Sequence, residues 1–354
     1  MSSLQDQLTK YLTDLHSIEQ QALAQMRVAP LLAGEPELAD TFERHCRETV
    51  EHERKIREHL GARGASPSIV KDLLGTLTGK GFVAFARAQP DTPGKLVVHA
   101  FSYEHMERAA YEMLALVAER AGDAPVLATA REIADEENAM AARLSASFDG
   151  AAEASLREVE QTELGEQLDK YLADAHAIEA QSLQLLDRAP NLAGSDELAR
   201  AYAAHRRETE DHLKQIGERL RARGSSPSRL KDAVLRLGGL NWSAFFGAQP
   251  DTPAKLAAFS YAFEHLEIGA YEMLRRVAER AGDEETQQLA ASILGQERSA
   301  AQRLHALFET ALEASLPALD GPAPGEAEES SAGPERSQGQ MSTPQPTGKD
   351  RVNG

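Results

Sequence analysis

QLTKYLTDLHSIEQQAL at residues 7–23 returns as QLDKYLADAHAIEAQSL at 167–183, and that return decides the fold. In the first copy Leu4, Leu8, Tyr11, Leu15, Ile18, Ala22 and Met26 recur at the helical period, which predicts a helix A near residues 3–30. The same offset of 160 carries HCRETVEHERKI at 45–56 to HRRETEDHLKQI at 205–216, and AQPDTPGKL at 88–96 to AQPDTPAKL at 248–256. It also carries YEHMERAAYEMLALVAERAGD at 103–123 to FEHLEIGAYEMLRRVAERAGD at 263–283. About half of the paired positions are identical, with no insertion from Leu4/Leu164 to Leu156/Leu316. A period this long excludes a solenoid and predicts a duplicated domain.

Each copy reads as four long helices. The turn AGEPEL, with Pro36 suited to a first helical position, leads into helix B, where Leu38, Phe42, Thr49, Ile56 and Leu60 share a stripe. Helix B ends at the glycines of LGARGASPS; Asp91-Thr92-Pro93 starts helix C and Gly122 stops it. Helix D is expected from about Ala124 to Phe148. The B-to-C connection, 61–92, is far longer than the roughly 2–8 residues usual between bundle helices, and Ser66-Pro67 is expected to open a short helix within it. Two hairpins joined by a long crossover is ferritin-like connectivity. No segment carries a strand pattern.

The expected architecture is therefore all-α. Two tandem ferritin-like four-helix bundles, at 1–150 and 163–316, are joined by a helical linker over 151–162. A disordered tail is expected at 317–354, where 6 Pro and 6 Gly stand among Ser, Glu and Gln. The copies are expected to pack as an intramolecular pseudo-dimer about an approximate two-fold axis, sharing no ligand. Further self-association stays open.

Composition narrows the function. The 354 residues hold one cysteine, so internal disulfides and cysteine-based clusters are excluded and a reducing cytoplasm is the expectation. No apolar run approaches the roughly 18 residues needed to span a bilayer, and MSSLQDQLTKYL lacks the features of a secretory signal. A net charge of −18 argues against nucleic acid as a partner and for cations. Glycine-rich phosphate loops, GxSxG and HExxH are absent.

Several acids fall on faces that should be apolar. Glu19 lies four residues after Leu15; His45 and His52 follow Leu38 at intervals of seven, with Glu48 between them. Glu104 and Glu107 align with Ala100, Tyr111 and Leu114, and Glu137 lies four after Ile133. All four helices thus turn a carboxylate towards one core. Five buried glutamates cannot all stay ionised unpaired, whereas two divalent ions bring four positive charges. Carboxylate oxygen with imidazole nitrogen suits iron or manganese, two ions per bundle. The expected ligands are Glu19, Glu48, His52, Glu104, Glu107 and Glu137, then Glu179, Glu208, His212, Glu264, Glu267 and Glu297. His45 and His205 are read as partners outside the ligand set.

At DLHSIEQQ, ELADTFERHCRETVEH, YEHMERAAY and ADEENA, and at AHAIEAQ, ELARAYAAHRRETEDH, FEHLEIGAY and GQERSA, the chain resembles the YciE/YciF-type ferritin-like stress proteins. The resemblance covers about 4–148 and 164–308. It implies a carboxylate-bridged two-metal centre in each bundle and leaves redox activity of an oxidase or peroxidase type open. Departures from the ferritin-like pattern are visible. Helix B spaces Glu and His by four rather than three, helix D has no histidine, and Glu136 becomes Gln296 in the second copy. The competing reading is a metal-free structural or protective protein with vestigial sites.

Overall fold

Local sequence chemistry sets the helix ends. In the computed structural model, which describes residues 4–66, 92–226 and 251–316, the first copy runs α1 (Leu4–Met26), α2 (Ala29–Leu32), α3 (Pro36–Ala62), α4 (Thr92–Ala121), α5 (Ala124–Ala146) and α6 (Phe148–Leu156). The second copy repeats this as α7 (Leu164–Leu186), α8 (Ala189–Leu192), α9 (Asp196–Ala222), α10 (Thr252–Arg280), α11 (Glu284–His305) and α12 (Phe308–Ser315). Pro36 opens α3 where its missing N–H costs nothing. Gly122 takes φ +68° after α4, a conformation that side chains with a Cβ disfavour. The Asp123 carboxylate then accepts from the Val126 N–H at 3.1 Å and caps α5. Among the described residues there is no strand, and no helix is long and apolar enough to cross a membrane.

The expected helices A to D correspond to α1, α3, α4 and α5, with two differences. Helix A stops at Met26 and a separate turn of helix, α2, follows. Helix D breaks at Ser147, and the chain restarts as α6 with Phe148 buried against Phe101. The expected helical linker over 151–162 is helical only as far as Leu156; turns at 157–158 and 161–163 then lead into α7. Burial of Phe148, Ala151, Ala152 and Leu156 against the bundle redirects that segment, so helical propensity does not run on unopposed. The expected crossover helix and the expected disordered tail lie outside the described residues.

In each copy the four long helices pack in a ring. α1 meets α3, α3 meets α5, α5 meets α4, and α4 meets α1, and α7, α9, α11 and α10 repeat the arrangement. Among the described residues no helix is exchanged between copies. The copies meet mainly through α4 against α10. The imidazoles of His105 and His265, equivalent residues of the two copies, stack with centroids 3.5 Å apart and planes 16° from parallel. A residue stacked on its own counterpart marks a two-fold relation. Reciprocal ion pairs agree: Lys255 reaches Asp14 at 2.8 Å, and Lys95 reaches Asp174 at 3.3 Å. Each stacked ring donates its Nδ1 hydrogen to the carbonyl four residues earlier, at 2.8 Å, and burial lowers both pKa values, that of His105 to about 4.

Backbone approach at this crossing is close. A Cβ at Gly269 would lie 3.2 Å from Val98 Cγ1 and 3.4 Å from its Cα. Gly269→Leu should therefore force α4 and α10 apart and lower stability by about 1–3 kcal/mol. Denaturant unfolding of the full chain measures this, and an unchanged midpoint would show that the crossing is loose.

Candidate metal centre

α1 carries Glu19, α3 carries His45 and His52, α4 carries Glu104 and Glu107, and α5 carries Glu137; all six are fully buried. One ligand atom each from His45, Glu104, Glu107 and Glu137 lies within 4.8 Å of the others, as it does for Glu19, His52 and Glu137. Glu137 belongs to both groups. The second copy repeats them as His205, Glu264, Glu267 and Glu297, and as Glu179, His212 and Glu297. Each group draws on one copy only.

Short contacts join the inward atoms, two of them at hydrogen-bond length but none aligned as a hydrogen bond. His45 Nε2 lies 3.0 Å from Glu104 Oε2 and 3.6 Å from Glu137 Oε2. His52 Nδ1 lies 2.8 Å from Glu137 Oε1 and 3.9 Å from Glu19 Oε1. Yet His45 Nε2, His52 Nδ1, Glu19 Oε2 and both carboxylate oxygens of Glu104, Glu107 and Glu137 have no hydrogen-bond partner. Buried polar atoms are nearly always paired, and so many unpaired donor atoms converging on one place is the arrangement a cation completes.

The outward atoms of the same side chains are held. Glu48 accepts from His45 Nδ1 at 3.1 Å and is itself gripped by Arg143 at 2.8 Å. His52 Nε2 donates to Glu136 at 2.6 Å, and the Tyr111 hydroxyl donates to Glu19 Oε1. With the outer nitrogen protonated, each neutral imidazole presents its lone pair inward, the pattern of metal-binding histidines. In the second copy His205 faces Glu208 at 3.1 Å, and His212 donates to the amide oxygen of Gln296 at 3.0 Å.

Ten of the twelve expected ligands are thus brought together, and two are not. Glu48 and Glu208 stand outside the clusters, part-exposed behind His45 and His205 and paired with Arg143 and Arg303. The positions are exchanged relative to the sequence reading: His45 and His205 face inward, Glu48 and Glu208 outward. Their spacing of seven from His52 and His212 is two full turns on one line, whereas Glu48 sits about 60° round the helix from His45. The seven-residue interval was the signal for this. In the sequence Glu136 stands out only as a difference between copies, and nothing there ties it to His52.

Burial shapes the electrostatics. It pushes the carboxyls of Glu19 and Glu137 up to about 7 and that of Glu107 well above the usual range. Burial by itself would lower the histidines, but the surrounding carboxylates outweigh it. His52 rises to about 9, His212 to about 10 and His205 to about 11. Residues 3–157 and 163–316 each match one protein family, described as Domain of unknown function (DUF892). No solved structure matches the chain.

The pH response of the metal-stripped protein follows. Glu19 and Glu137 titrate near 7 when folded, against 4.5 ordinarily, so the folded state holds extra protons across that interval. His52 does the same between 6.5 and about 9. Both contributions are present at low pH and lost as pH rises through the folded values. The thermal midpoint of chelator-treated protein should fall from pH 5 to pH 9, as followed by circular dichroism. A midpoint climbing over that range would contradict the burial of these groups.

Proposed function

The chain belongs to the DUF892 family in two consecutive copies, and from that premise we propose that it is a metal-binding protein of the YciE/YciF-type ferritin-like class. Each bundle holds two ions of iron or manganese. The observation that carries this reading is the convergence of unpartnered, fully buried donor atoms from all four helices. Charge supports it. With Glu48 outside, four carboxylates remain in the first copy, Glu19, Glu104, Glu107 and Glu137, and two divalent ions neutralise four charges. His45, Glu104, Glu107 and Glu137 hold one ion, Glu19, His52 and Glu137 the other, and their counterparts in the second copy do the same.

Bound iron or manganese supplies Lewis-acid and one-electron chemistry. The protein's own part is to hold and orient. Glu48 and Glu136 fix the tautomers of His45 and His52, Tyr111 orients Glu19, and the apolar layers around the cluster keep bulk water out. The same proposal places the chain in a reducing cytoplasm, which its single cysteine supports, and gives it a role in stress protection, which the family resemblance supports.

Anaerobic loading of the chelator-treated chain with ferrous iron should give about four ions per chain, one for each of the four residue groups, by elemental analysis. Glu107→Gln with Glu267→Gln should lower that content markedly while leaving the metal-free fold in place, because burial already disfavours charge on both carboxyls. A folded protein that retains no metal after loading would establish the competing reading, a metal-free scaffold with vestigial sites.

A further inference from the structure

The two copies keep every inward ligand but differ around them. On the outer nitrogen of the α3 histidine stands a carboxylate in the first copy, Glu136 at 2.6 Å from His52. In the second stands a neutral amide, Gln296 at 3.0 Å from His212. An anionic acceptor takes more of the N–H proton and leaves more electron density on the opposite nitrogen, so His52 is the stronger donor towards a cation.

Further differences lie beside the clusters; Tyr103, whose hydroxyl donates to the Ile18 carbonyl, is Phe263 in the second copy. Ala22, Phe42 and Ala100 of the first copy are Ser182, Tyr202 and Ser260 in the second, and all six are buried. The Ser182 hydroxyl donates to Glu267 Oε2 at 3.5 Å, whereas both oxygens of the matching Glu107 have no such partner. The hydroxyls of Tyr202 and Ser260 are buried next to each other beside Glu264; burial pushes that of Tyr202 up and the Glu264 charge adds to the shift. The Ser182 hydroxyl, by donating to Glu267, draws density from an oxygen that would face a cation and already satisfies part of its need.

The change from carboxylate to amide at 136/296 and the Ser182 hydroxyl act in one direction. From them we infer that the two centres are unequal, the first copy holding its ions tightly and the second holding an exchangeable pair. Glu136 and Gln296 are the positioning residues that set the larger part of the difference. The inference rests on metal binding by both clusters and adds to it a division of labour: one centre that stays filled and one that fills and empties with supply.

The test is a manganous ion titration of the chelator-treated full chain, with free ion followed by electron paramagnetic resonance. The wild-type chain should fill in two steps of about two ions each, separated by about tenfold or more in affinity, the size of effect expected when the group behind a ligating histidine changes. Glu136→Gln should move the tight step towards the weak one, and Gln296→Glu should move the weak step towards the tight one. Both positions are at the solvent-facing edge of the bundle, so each variant should stay folded, and circular dichroism of the metal-free chains checks this apart from the binding steps. A single step holding all the ions, or two steps that neither substitution shifts, would overturn the inference and leave metal binding standing. No binding at all would overturn both.

Discussion

Four carboxylates and two imidazoles buried at the centre of each bundle are the constraint from which the rest of the structure follows. Charge removed from water costs several kcal/mol per ion even after relaxation, so such a cluster persists only where protons or cations compensate it. The surroundings are built for that. Tyr111 satisfies one oxygen of Glu19, and Glu48 and Glu136 hold the outer nitrogens of the two histidines. Layers of Leu8, Leu12, Leu15, Phe42, Ile56 and Leu144 close the bundle around the polar centre. The protons that Glu19, Glu107 and Glu137 hold when no cation is near are the alternative compensation, which is why burial moves their carboxyls upward.

α4 and α10 bear two loads. One face of α4 supplies Glu104, Glu107 and Tyr111 to the cluster, while Phe101 and His105 on another face meet the second copy. The cluster is thereby backed by a packed interface in place of solvent. The interface also explains why the duplication remains legible as a near two-fold arrangement. A contact of each helix with its own counterpart constrains both copies together, as the stacked His105 and His265 and the reciprocal Lys95–Asp174 and Lys255–Asp14 pairs show. The polar surround of each cluster carries no such reciprocal constraint, and there the copies have diverged, as at 22/182, 42/202, 100/260, 103/263 and 136/296.

Much of this was determined by the sequence alone. The 160-residue offset, the helical stripes, the start signal at Pro36 and the stop signal at Gly122 specify two copies of a four-helix unit, because hydrophobic periodicity and capping act within a few residues of chain. Glutamates standing on apolar stripes announced a polar core, and Glu19, His52, Glu104, Glu107 and Glu137 are in it. Tertiary structure decided the rest. It turned His45 inward and Glu48 outward, joined Glu136 to His52 and broke the linker after Leu156. Spacing gives a residue's angle on its own helix to within some tens of degrees. Whether a side chain at the edge of the stripe meets a cluster or an arginine depends on how neighbouring helices are rotated and on what they carry. Glu48 goes to Arg143 because α5 places that guanidinium beside it, 95 residues away in sequence.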